Sequence, residues 1–242
     1  MPSQTELLSN IGLNEEVIGI TKFCVLPDSW YKSKTRIGGT KKLNIEKIKS
    51  LSPDLIIGNK EENNKEQIEE LMKLFPVWMS DIRSLEDALQ MIASLGEITG
   101  TKKKAAELVL KIQEEFSGLG QEMKASGKGE LKVAYLIWRR PYFAAGAGTF
   151  IDDMLSRIGL KNIFAEHESR YPETDAGELR VFGPDIILLS SEPYPFRERH
   201  INEFRSACPE AKILFADGQL FSWYGSRLLL APAYFRLLAK NF

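Results

Sequence analysis

Histidine and cysteine are scarce: the 242-residue chain has two of each. Neither Cys-x-x-Cys nor His-x-x-x-His occurs, so a zinc site built from protein ligands is not expected. Cys24 and Cys208 stand far apart and are expected as buried free thiols. No nucleophile–base pair stands out, and His167 and His200 fall in polar segments, which argues against catalysis. No apolar run approaches the roughly 20 residues of a membrane span. The N-terminus also lacks the basic, apolar and small-residue zones of an export signal. Neither sign of charge is in excess: the net charge is −1, which excludes a general pull toward nucleic acid or an anionic membrane.

What is present is a repeat. "LSPDLIIGNKE" (51–61) returns as "FGPDIILLSSE" (182–192), aligning Pro53 with Pro184, Asp54 with Asp185 and Glu61 with Glu192. "TELLSNIGLNEEVIGI" (5–20) parallels "DDMLSRIGLKNIFAE" (152–166), with Ile11-Gly12-Leu13 on Ile158-Gly159-Leu160. Both members of this second pair read as an amphipathic helix ended by glycine, then a short apolar strand. In each half a further helix follows, capped by Asn44 or Asp175, whose side-chain oxygens suit the free amides of a first turn. Proline then ends that helix and leads into the strand. Strands alternating with helices define parallel α/β units. "PVWMSD" (76–81), "KVAYLIW" (132–138) and "AKILFAD" (211–217) add further strands. The second half opens with "KVAYLIW", which has no counterpart in the first, so symmetry predicts a strand just upstream of Pro2.

Between the halves, Ser84 with Asp87 opens a helix reaching about Thr99, and Gly100-Thr101 restarts the pattern. Ala105, Leu108, Val109, Ile112, Phe116, Leu119 and Met123 then recur at three and four, giving one apolar stripe. About 25 residues at 1.5 Å each span roughly 38 Å. "KASGKGE" (124–130) reads as a flexible linker. The expected organisation is an N-terminal α/β lobe over 1–100, a rigid connecting helix over 101–126 and a C-terminal α/β lobe over 127–242. The fold class is α/β: two Rossmann-like lobes with parallel sheets and a ligand cleft between them. Pro232 either kinks the last helix or splits it from "RLLLA".

Ligands of open parallel sheets bind at the carboxyl ends of the strands. The segments just after the strands hold Phe23, Trp30, Tyr142, Phe143, Tyr194, Phe196, Phe221, Trp223 and Tyr224, with Trp138 closing its strand. Among them lie Lys22, Lys41, Arg139, Arg140 and Arg227. Aromatic faces interleaved with cations suit a large, flat or amphiphilic anionic ligand. "AAGAGTF" (144–150) is glycine-rich before a helix but lacks the lysine and spacing of a nucleotide loop. Glu61 and Glu192 could be a catalytic pair, but a repeat supplies two similar environments where acid–base chemistry needs two different ones.

The chain resembles the helical-backbone, class III substrate-binding proteins of ABC transporters, in particular the vitamin B12 and iron-siderophore periplasmic binding group. The resemblance rests on "PSQTELL", "LNIEKIKSLSPDLIIGNKEENNKEQIEEL", "PYFAAGAGTFIDDMLSRIGLKNIF", "RYPE" and "FSWYGSRLLLA" and covers nearly the whole chain. It implies a non-enzymatic receptor for import of a metal chelate, cobalamin first, then iron-siderophore or heme. The partner is an ABC permease, the state monomeric and the location the periplasm or envelope. Cobalt or iron would arrive inside the ligand, with no covalent cofactor. In that family one acid per lobe docks on the permease. Those positions fall on Lys65, beside Glu66, and on Ser222, so Glu61, Glu62, Glu66 and Glu192 are the candidate docking acids. The stacking tryptophans of the cobalamin receptor fall on Thr40, Asn59 and Leu220, so that clamp is not kept. The alternative is a cytoplasmic corrinoid or chelate handler, or an enzyme, using the same cleft.

Overall fold

The computed structural model describes residues 1–127 and 130–242. The chain divides into two compact units. One comprises Met1–Ile82, Glu86–Leu110 and Tyr224–Arg227, the other Arg83–Leu85, Lys111–Trp223 and Leu228–Phe242. The residues of the long helix are divided between the two units at Leu110 and Lys111.

In the first unit α1 (Pro2–Asn10) ends where Gly12 takes φ +100°, a conformation closed to most side chains. β1 (Gly19–Ile20), α2 (Asp28–Ser33) and β2 (Thr35–Arg36) follow, then α3 (Ile45–Leu51), β3 (Ile56–Asn59), α4 (Lys65–Met72) and β4 (Val77–Ser80). Asn44 caps α3, its side-chain oxygen accepting from the Lys47 amide, and Asn64 caps α4 through Gln67 in the same way. The strands form two separate parallel pairs, β1 with β2 and β3 with β4. Ile48, Ile68 and Leu71 are the buried centre under β3 and β4, with Ile56, Val77 and Met79 packed against it. α5 (Leu85–Ile98) and α6 (Lys102–Ala125) come next. The expected linker overlaps the end of α6, and its Lys128 and Gly129 lie outside the described residues.

The second unit contains β5 (Leu131–Trp138), β6 (Tyr142–Ala144), α7 (Phe150–Arg157), β7 (Leu160–Asn162), β8 (Glu173–Thr174), α8 (Ala176–Phe182) and β9 (Ile186–Ser190). The chain continues through α9 (Ile201–Ala207), β10 (Lys212–Ala216), α10 (Gly218–Ser222) and α11 (Ala231–Ala239). One six-stranded sheet runs β10-β9-β5-β6-β8, with β7 also paired to β5. β10, β9, β5 and β7 are parallel, whereas β6 and β8 are antiparallel additions, so this sheet is mixed and not purely parallel. The sequence around β6 reads as a loop because only three residues pair after the tight turn at Arg140, which has φ +65°. All five residues of β9 are buried, as expected of a strand covered on both faces. Asp175 caps α8 by accepting from the amides of Gly177 and Glu178. Pro232 stands in the first turn of α11, where its missing N–H costs nothing, and a 3₁₀ turn over Ser226–Leu229 precedes it. Proline thus splits the segment instead of kinking it. Cys24 and Cys208 are both free and buried.

Phe221, fully buried, stacks between Tyr135 at 4.9 Å and Phe235 at 4.7 Å. Replacing it with alanine (F221A) removes this junction of β5, α10 and α11. The expected cost is about 3–5 kcal/mol, read from the midpoint of urea unfolding followed by circular dichroism.

Candidate functional site

The loops at the carboxyl ends of the first unit's strands converge. The Lys22 amide donates to the Gly38 carbonyl at 2.8 Å, the Asn63 side chain to the Thr40 carbonyl at 3.1 Å, and Lys41 Nζ to the Glu61 carbonyl at 2.6 Å. Buried Asn59 shapes the next turn, its oxygen accepting from the amides of both Glu61 and Glu62. Lys22 lies over the ring of Phe23, 5.0 Å from its centroid, and Phe23 is half exposed. A side chain at residue 39 would press on both, reaching Lys22 Cε and Phe23 at 3.3 Å, so glycine there lets the pair lie flat on the loop. Glu62 and Glu66 are exposed, with Glu66 in the first turn of α4 where a carboxylate complements the helix dipole.

Other candidates from this unit serve its interior. Trp30 is buried, and its indole N–H donates to Asn14 at 2.9 Å. Tyr224 is buried, which drives its phenol pKa well above the usual range, reinforced by the charge of Glu62. Arg227 donates from Nε and Nη2 to the two carboxylate oxygens of Glu6, a bidentate pair largely shielded from solvent.

In the second unit Trp138, 42% exposed at the end of β5, meets Tyr194 edge-on at 5.8 Å, and Tyr194 meets Phe196 at 4.9 Å. Trp138 and Tyr194 form the accessible edge of this aromatic row. Phe196 belongs to the buried core with Phe204 and Leu189. Beneath the row, Arg139 and Tyr142 both donate to the carboxylate of Glu203. The Arg139 guanidinium holds the Glu203 carboxyl down at about 2. Burial, and then the bond to that carboxylate, push the Tyr142 phenol up to about 12. His200 is buried on the same side, accepting the Arg197 amide at Nδ1, and burial followed by the charge of Arg139 holds its pKa down. Arg140 is exposed and Phe143 half-buried, the latter paired with Glu173.

Trp223 and Phe221 are buried, and the indole N–H of Trp223 donates to Glu192 at 2.8 Å. Ser222 also donates to that carboxylate, at 3.3 Å. Burial raises the Glu192 pKa while these two bonds oppose the rise. Glu192 is therefore tied inward to α10 and differs in setting from Glu61, although the repeat aligns them. The glycine-rich stretch has a packing cause: a Cβ on Gly146 would stand 2.8 Å from the Ser169 carbonyl, and Thr149 caps α7 by accepting from Asp152. Among the described residues no group of three His, Cys, Asp or Glu side chains is placed to hold a metal ion.

Sequence reasoning missed Glu203, Glu6, Asn59 and Asn63. Glu203 and Glu6 lie inside helices and act on partners remote in sequence, whereas Asn59 ends β3 and Asn63 stands in the turn before α4, where no local pattern marks either.

The match to the model of the periplasmic binding protein family covers residues 1–211 of this chain, which therefore belongs to that family of substrate-binding, non-enzymatic proteins. Its relatives include the ABC transporter substrate-binding lipoprotein YvrC of Bacillus subtilis. The two are 27% identical over 78% of this chain and 62% of that protein, so the match spans less than two thirds of the relative's length. Among solved structures, the periplasmic vitamin B12 binding protein BtuF of Vibrio cholerae superposes with a TM-score of 0.85 at 20% identity, covering 99% of this chain and 94% of that one. The periplasmic heme-binding protein BhuT in complex with two hemes gives 0.84 at 19% identity, covering 99% and 96%.

Glu203 makes stability depend on acid. Its folded pKa lies below the ordinary 4.5, so its contribution is complete above about pH 4.5 and is lost as pH falls toward 2. The melting temperature of the wild type should exceed that of Glu203→Gln at pH 6, and the gap should shrink below pH 4.5, with most of it gone by pH 2.5.

Proposed function

We propose that this chain is the substrate-binding receptor of an ABC importer for a metal-chelate ligand, with cobalamin as the first candidate. The observation that carries the reading is the set of accessible rings and cations on the strand-end loops of each unit. Lys22, Phe23 and Lys41 contribute from the first unit, and Trp138, Arg140, Phe143 and Tyr194 from the second. Apolar ring area and a few directed polar groups are what a large macrocyclic ligand requires. Charge accounting favours a corrin over heme or an acidic siderophore. Two of the five loop cations, Arg139 and Arg227, are already neutralised by Glu203 and Glu6. A ligand presenting many neutral amides and one phosphate needs fewer free cations than one presenting two or more carboxylates.

The receptor reading also assigns an ABC permease as partner, with Glu61, Glu62 and Glu66 as its docking acids, and a place in the cell envelope. Glu192, held by Trp223 and Ser222, is the weaker docking candidate.

The test is isothermal titration of the protein with cobalamin, heme and an iron-siderophore panel. Cobalamin is expected to bind one-to-one at micromolar affinity or tighter, and Trp138→Ala to weaken it about tenfold, the loss of one aromatic anchor. Heat from heme or a siderophore but not cobalamin would replace the ligand and keep the receptor. No heat from any of them would overturn the reading.

A further inference from the structure

His200 lies under the aromatic edge of the second unit and is 3% exposed. Its ring stands 5.7 Å from that of Tyr194 and 5.8 Å from that of Phe196, and Tyr194 in turn backs Trp138. Three polar groups approach the two ring nitrogens. The Arg197 amide donates to Nδ1 at 3.0 Å, Arg199 Nε stands 3.2 Å from Nε2, and the Tyr194 hydroxyl stands 3.5 Å from Nε2.

A neutral imidazole has one N–H and one acceptor nitrogen. The Arg197 amide belongs to the turn that opens α9, so it fixes Nδ1 as the acceptor and leaves the proton on Nε2. From Nε2 the group able to accept is the Tyr194 oxygen, at the outer limit of a hydrogen bond. Arg199 Nε is itself a donor, and its exposed side chain yields to that proton. A second proton has no comparable place. It would sit on Nδ1, against the Arg197 N–H. Charge opposes it as well: Arg139 just past β5 and Arg197 and Arg199 in the turn are cationic, while Glu198 is exposed. The carboxylate facing it from α9, Glu203, is already engaged by Arg139 and by Tyr142 of β6.

We infer that His200 is a positioning residue for the Trp138–Tyr194 edge, and that acid withdraws it. While neutral, it holds the Tyr194 ring against Trp138. A second proton breaks the bond to the Arg197 amide and drives the charged ring from its seat, so Tyr194 loses its backing and the edge its order. The consequence for ligand capture rests on the receptor reading; the coupling of His200 to Trp138 does not. Burial, then the charge of Arg139, holds the His200 pKa below its ordinary 6.5. The unfolded chain takes up this proton near the ordinary value, so the seat is undisturbed above it and fails as pH falls below it. That range lies above the one in which Glu203 acts.

The test begins with the ligand-free protein. In a His167→Gln background His200 is the single histidine, and its imidazole proton resonances report its protonation directly. They are expected to titrate below pH 6.5. Trp138 emission, taken as the difference between that protein and its Trp138→Phe variant, should change over the same range. Taking the difference removes Trp223, whose bond to Glu192 is also sensitive to acid. This coincidence requires no change at residue 200. His200→Gln keeps an acceptor for the Arg197 amide and an N–H toward Tyr194 but takes up no proton, so its emission should stay level from pH 7.5 to 5.5. Cobalamin affinity should fall about threefold or more over that interval in the wild type and stay level in His200→Gln. Trp138 emission that ignores the His200 titration, an emission change that persists in His200→Gln, or equal wild-type affinity at the two pH values overturns the inference. No heat from cobalamin, heme or siderophore at either pH overturns the receptor reading alone, and resonance and emission still decide the role of His200.

Discussion

One aspartate holds the second unit's sheet in register. Asp185 sits at the entrance to β9, and its carboxylate, amide and carbonyl engage three backbone groups. They bind the amide and carbonyl of Lys132 at the start of β5 and the amide of Lys212 at the start of β10. Three parallel strands are thereby aligned at their amino ends by one residue, with proline before it preventing the preceding helix from running on. Slipping any of the three by one residue would turn its inward side chains outward. The loops at the far ends of these strands can meet only because their starting points are fixed.

At those far ends the structure separates packing from accessibility. Aromatic residues that look alike in sequence divide into a buried set, Trp30, Phe196, Phe221, Trp223 and Tyr224, and an accessible set led by Phe23, Trp138 and Tyr194. The buried set stiffens the ground on which the accessible set stands: Phe196 lies against Tyr194, and Tyr194 lies against Trp138. The basic residues divide in the same way. Arg139 and Arg227 are held by carboxylates of their own units, whereas Arg140 and Lys22 remain toward solvent.

The frame was legible in the sequence because it rests on local signals. The Pro-Asp repeat, the caps Asn44 and Asp175, the glycine stop after α1 and the three-and-four stripe of α6 each act within a few residues, and each stands where the pattern placed it. β6 and β8 were not legible: two- and three-residue strands carry no period and exist only through pairing. The candidate site was legible at the level of loops but not of side chains. Whether an arginine faces a ligand or a glutamate depends on residues such as Glu203, 64 positions from Arg139, and composition is silent on that. The equivalence of Glu61 and Glu192 also misled, since identical repeat positions acquire different neighbours once Trp223 folds over one of them.

The pairing of Arg139 with Glu203 has a consequence for how the protein would meet a ligand in solution. A guanidinium alone projects a field over about 8 Å at physiological ionic strength. Paired with a carboxylate it leaves a dipole, whose reach is much shorter. Arg139 therefore adds little long-range electrostatic guidance on this face, where the exposed cation is its neighbour Arg140. Added salt should scarcely alter what this pair contributes to an encounter, because the two charges already screen one another.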